Sequence, residues 1–167
     1  GIVINHGVGL AKPAEAVTDE DWDRVQDTNL RSAFVCAQVA GRRMLAQGSG
    51  SIVFVSSTAS LVGFDKLLAY GASKGGVDQM VRQLAVEWGP KGVRVNAINP
   101  GYTTNDMRGT ETRHAAPALN DEMRRLTPMQ RRGTPEEFAG PAVFLLADAS
   151  SFVSGVCLAV DGGYCAM

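Results

Sequence analysis

Short apolar runs alternate with longer amphipathic segments along the whole chain. Four of these runs are almost continuously apolar over five or six residues, as expected for strands that are covered on both faces. They are Gly1–Asn5, Ser51–Ser56, Val93–Ile98 and Val156–Val160. Because segments with helical spacing lie between them, the pattern predicts an α/β fold with a parallel sheet.

Two of the intervening segments have recognisable helix ends. A helix over Asp19–Gln47 is predicted by the N-cap residue Thr18, by acids in the first turn and by a stop at Gly48. A second helix, Ala69–Trp88, carries an apolar stripe and ends before Gly89 and a proline. These helices are long enough to cover the sheet between successive strands.

A third helix is predicted after Thr134. This threonine is the N-cap, Pro135 occupies the first helical position, and Glu137 completes a capping box. Pro141 lies farther along the same helix, where it removes a backbone hydrogen bond and is expected to cause a kink.

Between the third strand and this helix, the stretch 102–132 has mixed polarity and only weak helical patterning near 121–126. Loops of this length in a compact domain are usually lids or binding loops, so we expect a mobile substrate loop that becomes ordered when ligand binds; the alternative is a disordered insert. Its charged residues suit a polar substrate or are simply solvated: Asp106, Arg108, Arg113 and His114.

The composition is that of an ordinary globular protein. Of the 167 residues, 45% are hydrophobic and 20% are charged, and the formal net charge is −1. This predicts a single domain over 1–167 and gives no electrostatic reason to expect binding to nucleic acid or to a membrane. The three cysteines, Cys36, Cys157 and Cys165, have no paired or metal-like spacing, which favours a reduced cytoplasmic protein without a metal site.

Candidate chemistry is concentrated around Tyr70 and Lys74. Residues four apart share one face of a helix, and an ammonium beside a phenol favours the phenolate. Tyr70 is therefore a candidate to exchange protons near neutral pH, whereas the alternative is a pair on a solvated helix face. Ser57, thirteen residues earlier, follows a buried strand, at the edge of a parallel sheet where sites gather; the alternative for it is a turn or helix-cap serine.

Asn29 is the remaining polar candidate. It interrupts the apolar stripe of the first predicted helix, and the alternative for it is a surface or capping asparagine.

Together these residues and several ordered motifs resemble the short-chain dehydrogenase/reductase family. The motifs are Asn5-His6-Gly7, Thr28-Asn29-Leu30, Val55-Ser56-Ser57, Tyr70 with Lys74, Asn99-Pro100-Gly101, Arg132 to Glu137, and Val160-Asp161-Gly162-Gly163. The resemblance implies the C-terminal part of a doubly wound, Rossmann-like parallel sheet with helices on both faces. It also implies hydride transfer between NAD or NADP and a secondary alcohol or ketone.

The resemblance assigns roles to individual residues. Tyr70 gives or takes the hydroxyl proton, Lys74 holds the cofactor ribose, and Ser57, chosen over Ser56 by its spacing to the tyrosine, positions the substrate oxygen. Asn29 supports a water that relays protons to Lys74. The implied cofactor-binding residues are Asn5, Gly7, Tyr70, Lys74, Pro100, Gly101 and Thr103.

Other details of the chain depart from the family pattern. His6 replaces an asparagine and is expected to be a core or strand-end residue, and Asn105 stands where the family often has a threonine. The glycine-rich turn that holds the pyrophosphate is absent, so we expect about 80–90 further N-terminal residues in the natural protein. That absence leaves a second hypothesis open, a non-catalytic structural or subunit-like remnant.

The segments Glu87-Trp88 and Asn96 to Tyr102 resemble members that oxidise sugar acids and polyols, such as gluconate 5-dehydrogenases. Related enzymes that eliminate halide from halohydrins have an arginine at the position of Lys74, which disfavours that activity. The family usually forms tetramers, so the first two helices are expected to form a subunit interface in a tetramer or dimer. The apolar residues expected there are Val25, Val35, Met80 and Trp88.

Overall fold

Four parallel strands form the centre of the molecule. The computed structural model describes residues 1–104 and 117–167, with the backbone alone at 117–120. The strands lie in chain order, β1-β2-β3-β4, and every neighbouring pair is parallel. Their bounds are β1 Ile2–Ile4, β2 Gly50–Val55, β3 Val93–Pro100 and β4 Cys157–Val160. The predicted α/β class with a parallel sheet is confirmed.

Strand β3 is longer than the sequence pattern predicts. Its pairing with β4 continues through Asn99, opposite Ala159, and Pro100, opposite Val160. Pro100 can close the strand because its missing N–H is not needed there, and the N–H of Gly101 donates the next hydrogen bond, to Val160 O, at 3.0 Å.

Helices connect and cover the strands. They are α1 Asp19–Gln26, α2 Ser32–Gln47, α3 Leu68–Trp88, α4 Pro117–Leu126 and α5 Pro135–Leu146. The predicted single helix Asp19–Gln47 is wrong in one respect, because a π-helical turn at Asp27–Arg31 divides it into α1 and α2. A π turn contains one more residue than an α-helical turn, so Asn29 can point inward although it does not fit the apolar stripe of an α-helix.

The two faces of the sheet carry separate parts of the core. Ile52 and Phe54 of β2 point to the face covered by α2 and α3, where Val77 and Val81 are buried. Val53 of β2 points to the opposite face, which α5 covers. Alternate residues of one strand thus enter different cores, as the period of two requires.

Two residues expected at a subunit interface lie inside the chain instead. Val25 is fully buried, and the Trp88 indole packs against the α2/α3 core. Trp88 also lies so close to Gly41 that a Cβ there would stand 2.5 Å from the indole ring. Met80 is partly buried against the same core, whereas Val35 is exposed, as predicted.

The beginning of β3 is fastened to the end of α5. The Arg94 guanidinium donates to four backbone carbonyls, those of Leu145, Leu146, Ala147 and Val153. These are the carbonyls that an α-helix leaves without partners at its C-terminus and in the turn that follows. Arg94 therefore serves as a side-chain cap that joins helix and sheet.

Asn96, two residues after Arg94 on β3, also connects the strand to the segment before β4. Its Nδ2 donates to Val153 O at 2.9 Å, and its Oδ1 accepts from Val156 N at 3.1 Å. Both halves of a completely buried amide are thus paired with the segment that leads into β4.

Helix α5 begins as predicted, with the Thr134 N–H donating to Glu137 Oε2 at 2.8 Å. It also continues past Pro141 to Leu146. Helix α4 is longer than the weak pattern at 121–126 indicates. The predicted substrate residues Asp106, Arg108, Arg113 and His114, and also Asn105, lie outside the described residues.

No helix within residues 1–104 and 117–167 combines the length and the apolar character needed to cross a membrane.

Candidate active site

The carboxyl ends of the strands open onto one cavity. Its volume is about 630 Å³, and the segments that follow β1, β2 and β3 line it together with α3 and α5. Eight of the residues predicted from the sequence line this cavity: Asn5, Gly7, Ser57, Tyr70, Lys74, Pro100, Gly101 and Thr103. The fold therefore brings together segments that are up to about a hundred residues apart in the chain.

Tyr70 and Lys74 project from the first two turns of α3. Tyr70 is 6% exposed and Lys74 is 4% exposed, so the alternative of a solvated helix face is wrong. The Lys74 ammonium donates to Val55 O at 2.8 Å and lies 5.7 Å from the centre of the Tyr70 ring. The pair is thus anchored to the end of β2.

Burial sets the protonation of both groups. It lowers the pKa of Lys74 to about 8, and the charge of Asp78 opposes this shift. Burial raises the pKa of Tyr70, and the hydrogen bond from Ser57 acts in the opposite direction. The expectation that Lys74 brings the Tyr70 pKa near neutrality is wrong, because the ammonium is engaged by a backbone carbonyl and desolvation disfavours the phenolate.

Ser57 begins a short 3₁₀ turn, Thr58–Ser60, at the end of β2. Its Oγ accepts from the Ala59 N–H at 3.1 Å, which leaves the hydroxyl proton free to be donated toward Tyr70. The neighbouring Ser56 is buried and donates to Lys74 O at 3.2 Å. Ser57 therefore faces the cavity, while Ser56 ties β2 to α3.

Asn29 lies in the π turn and is 1% exposed, so the alternative of a surface or capping residue is wrong. Its Oδ1 accepts from Val8 N at 2.8 Å, and its Nδ2 donates to Val8 O and to Ser73 Oγ, at 2.9 and 3.0 Å. The Asn29 side chain therefore holds the loop after β1 against α3, the helix that carries Tyr70 and Lys74.

Gly7 shows how closely this loop approaches the pair. A Cβ at Gly7 would lie 3.3 Å from Asn29 Oδ1 and 3.6 Å from Lys74 Nζ. A side chain would therefore fill the space beside the ammonium. His6 next to it is exposed and contacts Ser32 Oγ at 2.5 Å, which makes it a strand-end residue.

A second glycine permits close packing at the far side of the cavity. A Cβ on Gly101 would stand 2.8 Å from the Cα of Asp161, so only glycine lets the turn after β3 pass the end of β4. The following residues are clipped to the segment before α5, since Gly133 N donates to Tyr102 O and Thr104 N donates to Gly133 O, both at 2.9 Å.

Three aromatic rings were not predicted from the sequence. Phe64 stacks on Tyr164 with ring centres 5.5 Å apart, and Tyr102 meets both rings edge-on. Phe64 and Tyr102 line the cavity. The rings follow three different strands, so no local spacing could have grouped them.

A buried polar network was also not predicted, although the helical spacing in the sequence indicates where one of its members, Asp78, lies. Asp78 lies on α3 four residues after Lys74 and eight after Tyr70, which puts it on the same helix face. It contacts Ser60 and Asn99, and all three lie directly behind the Ser57 turn.

The described residues, 1–104 and 117–167, contain no group of three or more His, Cys, Asp or Glu side chains that is arranged to hold a metal ion.

Comparisons with known proteins agree with this geometry. The family model for enoyl-(acyl carrier protein) reductase matches residues 1–165. An NAD-dependent glycerol dehydrogenase of Listeria innocua is 40% identical over 95% of this chain and 61% of its own length. A 2-dehydro-3-deoxy-D-gluconate 5-dehydrogenase of Pseudoalteromonas atlantica is 42% identical over 98% of this chain and 63% of its own.

A solved structure with the same fold contains ligands. The gluconate 5-dehydrogenase of Burkholderia cenocepacia, in complex with NADP and tartrate, superposes with a TM-score of 0.94 and is 30% identical, covering 99% of this chain and 65% of the other. The chain thus spans about three fifths of the length of the curated relatives it matches.

Proposed function

The chain belongs to the short-chain dehydrogenase/reductase family, and from that premise we propose that it transfers a hydride between NAD or NADP and a secondary alcohol or ketone. The observation that carries the proposal is the meeting of Ser57, Tyr70 and Lys74 at one cavity wall. A phenol, a hydroxyl donor and a buried ammonium are the groups needed to move one proton at a carbinol oxygen.

The residues of the cavity fit a nicotinamide and its ribose. Gly7 leaves open the space beside the Lys74 ammonium, where a ribose hydroxyl finds a charged donor. Asn5, Pro100, Gly101 and Thr103 border the same space. When bound, the cofactor supplies the hydride acceptor or donor. NAD and NADP both remain candidates, since the groups named here meet the part that the two cofactors share.

Each side chain has a defined task at the substrate oxygen. The Ser57 hydroxyl donates to that oxygen and holds it near the phenol. The Tyr70 phenol, whose pKa is raised by burial, keeps its proton at neutral pH and gives it to the oxygen during ketone reduction. Lys74 places a positive charge 5.7 Å from the ring and stabilises the phenolate that remains.

Asn29 acts at one remove from these groups. It fastens the loop after β1 to Ser73, and so keeps Gly7 next to Lys74. A water on this side of Lys74 would complete a path for the proton, which is the role that the sequence resemblance implies for Asn29.

The substrate class that we propose is a polyol or sugar acid. Two relatives are named for glycerol and for a 3-deoxy keto sugar acid, and each is at least 40% identical. The polar end of the cavity at Ser57 and Tyr70 faces an apolar wall of Phe138, Ala142 and Val143. Such a site orients one reacting carbinol while it excludes water from it.

A turnover assay tests the proposal. Oxidation of glycerol, gluconate and galactitol is followed by reduced-nicotinamide absorbance with NAD and with NADP, for the full-length wild-type protein and for its Tyr70→Phe variant. We expect turnover with at least one pair and a loss of about 10²–10⁴-fold in the variant, because only the proton donor is removed. A variant that keeps more than about a tenth of the wild-type kcat rejects Tyr70 as the acid; an inactive wild type favours the non-catalytic remnant.

We also propose that the protein acts in the cytoplasm as a homo-oligomer, a dimer or tetramer. Apolar side chains on α2 and α3 are exposed in the single chain, namely Phe34, Val35, Val39 and Val86. All three cysteines are free, as expected in a reducing compartment. Sedimentation velocity at micromolar concentration should show a species larger than the monomer, and Val39→Glu should dissociate it; a monomer in the wild type contradicts the proposal.

A further inference from the structure

A buried hydrogen-bond network joins the Ser57 turn to the helix that carries Tyr70 and Lys74. Asn99 Nδ2 lies 2.8 Å from Asp78 Oδ2, 2.8 Å from Ser60 Oγ and 3.1 Å from Ser57 O. Ser60 Oγ lies 2.6 Å from both Asp78 Oδ2 and Ser57 O. The network therefore links α3, β3 and the turn after β2 within a single set of contacts.

Asp78 is the point at which the strand side and the turn side of this network meet. Its Oδ2 lies within hydrogen-bond distance of the Asn99 amide nitrogen, which donates, and of the Ser60 hydroxyl. The same two groups also contact Ser57 O. The carboxyl group therefore connects α3 to the Ser57 turn through one neighbour on β3 and one in the turn itself.

A charge at Asp78 needs a compensating charge, because the side chain is only 2% exposed. Asp78 Oδ1 and Asn99 Oδ1 are buried and have no hydrogen-bond partner within the described parts of the chain, so hydrogen bonds satisfy only half of the carboxylate. Lys74, one helical turn away, is the cation whose protonation the Asp78 charge favours. The carboxylate thus contacts the polar turn directly and lies one helical turn from the ammonium.

We propose that Asp78 is a positioning residue for the reaction described under Proposed function, on which this inference rests. It holds the Ser57 turn through Asn99 and Ser60, and it keeps Lys74 charged through its own charge. The repeat of tyrosine, lysine and aspartate at intervals of four residues on α3 brings these two tasks to one face of the helix.

Few other charges surround this pair. Arg82 follows one turn later on α3, and Cys157 of β4 contacts the backbone carbonyl of Asp78. Burial raises the pKa of Cys157 to about 12, so the thiol stays neutral over the range of the test. The turn after β2 and strand β3 contact Asp78 through the neutral groups Ser60 and Asn99, whereas Arg94 of β3 binds the carbonyls at the end of α5. Tyr70 and His6 share the cavity wall with Lys74.

The first test measures the titration of the Lys74 ammonium directly and does not require catalytic turnover. The chain has four lysines, so ¹³C labelling at lysine Cε gives few signals, and Lys74→Arg identifies the one of interest. In Asp78→Asn an amide oxygen can keep the place of Oδ2 while the charge is lost. We expect the Lys74 titration midpoint, about 8 in the wild type, to fall by about one unit.

Two matched variants complete this test. Asp78→Glu should restore the wild-type titration midpoint of Lys74. Asn96→Ala, which alters a buried amide on the strand that also carries Asn99, should leave that midpoint unchanged. An equal midpoint in Asp78→Asn and the wild type overturns the proposal, whether or not the chain shows turnover. An inactive wild type with a shifted midpoint instead contradicts the proposed function alone.

The second test is kinetic and concerns the Ser57 side of the network. Ser60→Ala removes the hydroxyl between Asp78 and Ser57 O without changing any charge. In ketone reduction we expect kcat to fall about tenfold with KM within about twofold, and the Lys74 midpoint to stay in place. Asp78→Asn should instead move the alkaline limb of the pH profile to lower pH. The proposal is overturned if both variants of an active enzyme have the kcat and the pH profile of the wild type. If Asp78→Asn does not fold, the kcat of Ser60→Ala alone decides whether the proposal holds.

Discussion

Strand β3 contains two completely buried asparagines, and they differ in how well they are satisfied. Asn96, near the beginning of the strand, pairs both its oxygen and its nitrogen with the segment before β4. Asn99, near the end, has three acceptors around one nitrogen and no partner for its oxygen in the part of the chain that the structure describes. Unmatched polar groups cost stability, so the beginning of the strand is arranged for stability and the end for chemistry.

The neighbours of the two asparagines follow the same division. At the beginning, Arg94 satisfies four carbonyls at the end of α5. At the end, Lys74 is buried as an ammonium with a single carbonyl as its acceptor, and burial lowers its pKa. One edge of the sheet therefore adds to the free energy of unfolding, whereas the other reduces it.

The largest effect is expected at the chemical end. Ser57→Ala removes the hydroxyl that meets the substrate oxygen and should lower kcat by about 10²–10³-fold. Ser56→Ala is the matched control, because the hydroxyl of this neighbouring serine, which also borders the cavity, donates to the Lys74 backbone carbonyl. Steady-state kinetics on both variants check the difference. Equal losses of kcat would mean that Ser57 has no role in catalysis beyond that of its neighbour Ser56.

At the stable end, Arg94→Met should lower the free energy of unfolding by about 3 kcal/mol, because several buried carbonyls lose a charged donor. Arg82→Met provides the control, since that exposed guanidinium donates to the Gln79 side chain on the same helix and its loss should change stability by less than about 0.5 kcal/mol. Urea unfolding measures both. A small effect at Arg94 would show that water replaces its hydrogen bonds.

Lys74→Met should abolish turnover and yet stabilise the fold. The pKa of Lys74 is about 8 in the folded chain against a reference value of 10.5, so the unfolded chain binds more protons between these pH values. The wild-type stability should therefore rise relative to Lys74→Met from pH 8 to pH 10.5. At pH 7 we expect the variant to be more stable by about 2 kcal/mol, after allowance for the lost bond to Val55 O. A difference that does not change with pH contradicts the assignment.

The smallest effect sharpens the comparison at the stable end. Ser150 is buried, and its hydroxyl contacts Leu145 O and Ala147 O at 3.0 and 2.9 Å. Arg94 reaches the same two carbonyls, so Ser150→Ala should cost only about 1 kcal/mol in thermal or urea unfolding. The double variant with Arg94→Met should lose more than the sum of the single losses, because Leu145 O and Ala147 O then lose both shared donors and retain the Ser51 hydroxyl and the Ser150 N–H, respectively.

The order of the strands and several polar residues that face the cavity could be predicted from the sequence, for a physical reason. Buried parallel strands read as apolar runs, and polar residues just after such runs must meet at one edge of the sheet. Ser57, Tyr70 and Lys74 could be placed from these rules together with a family resemblance. Their hydrogen bonds could not, since those depend on which carbonyl or hydroxyl the fold brings near.

The errors arise where tertiary contacts outweigh local pattern. The sequence predicts Val25 and Trp88 at a subunit interface, but Val25 is completely buried within the chain and Trp88 packs against Gly41 and the α2/α3 core. The Tyr70 pKa was expected to fall because only its partner four residues away was considered, whereas desolvation by the whole cavity raises it. Asn99 was read as part of a turn motif, and its place between Asp78 and Ser57 O required the packed helix.

The π turn at Asp27–Arg31 has a consequence for the phase of the helices on either side of it. Each residue of an α-helix advances by about 100°, so one additional residue rotates α2 relative to the continuation of α1 by about that angle. Deletion of one residue here would bring the two helices back into phase and give a smoother amphipathic pattern. It would also move Asn29 away from Val8 and Ser73, so the additional residue of the π turn is what directs this one polar side chain toward α3 and the loop after β1.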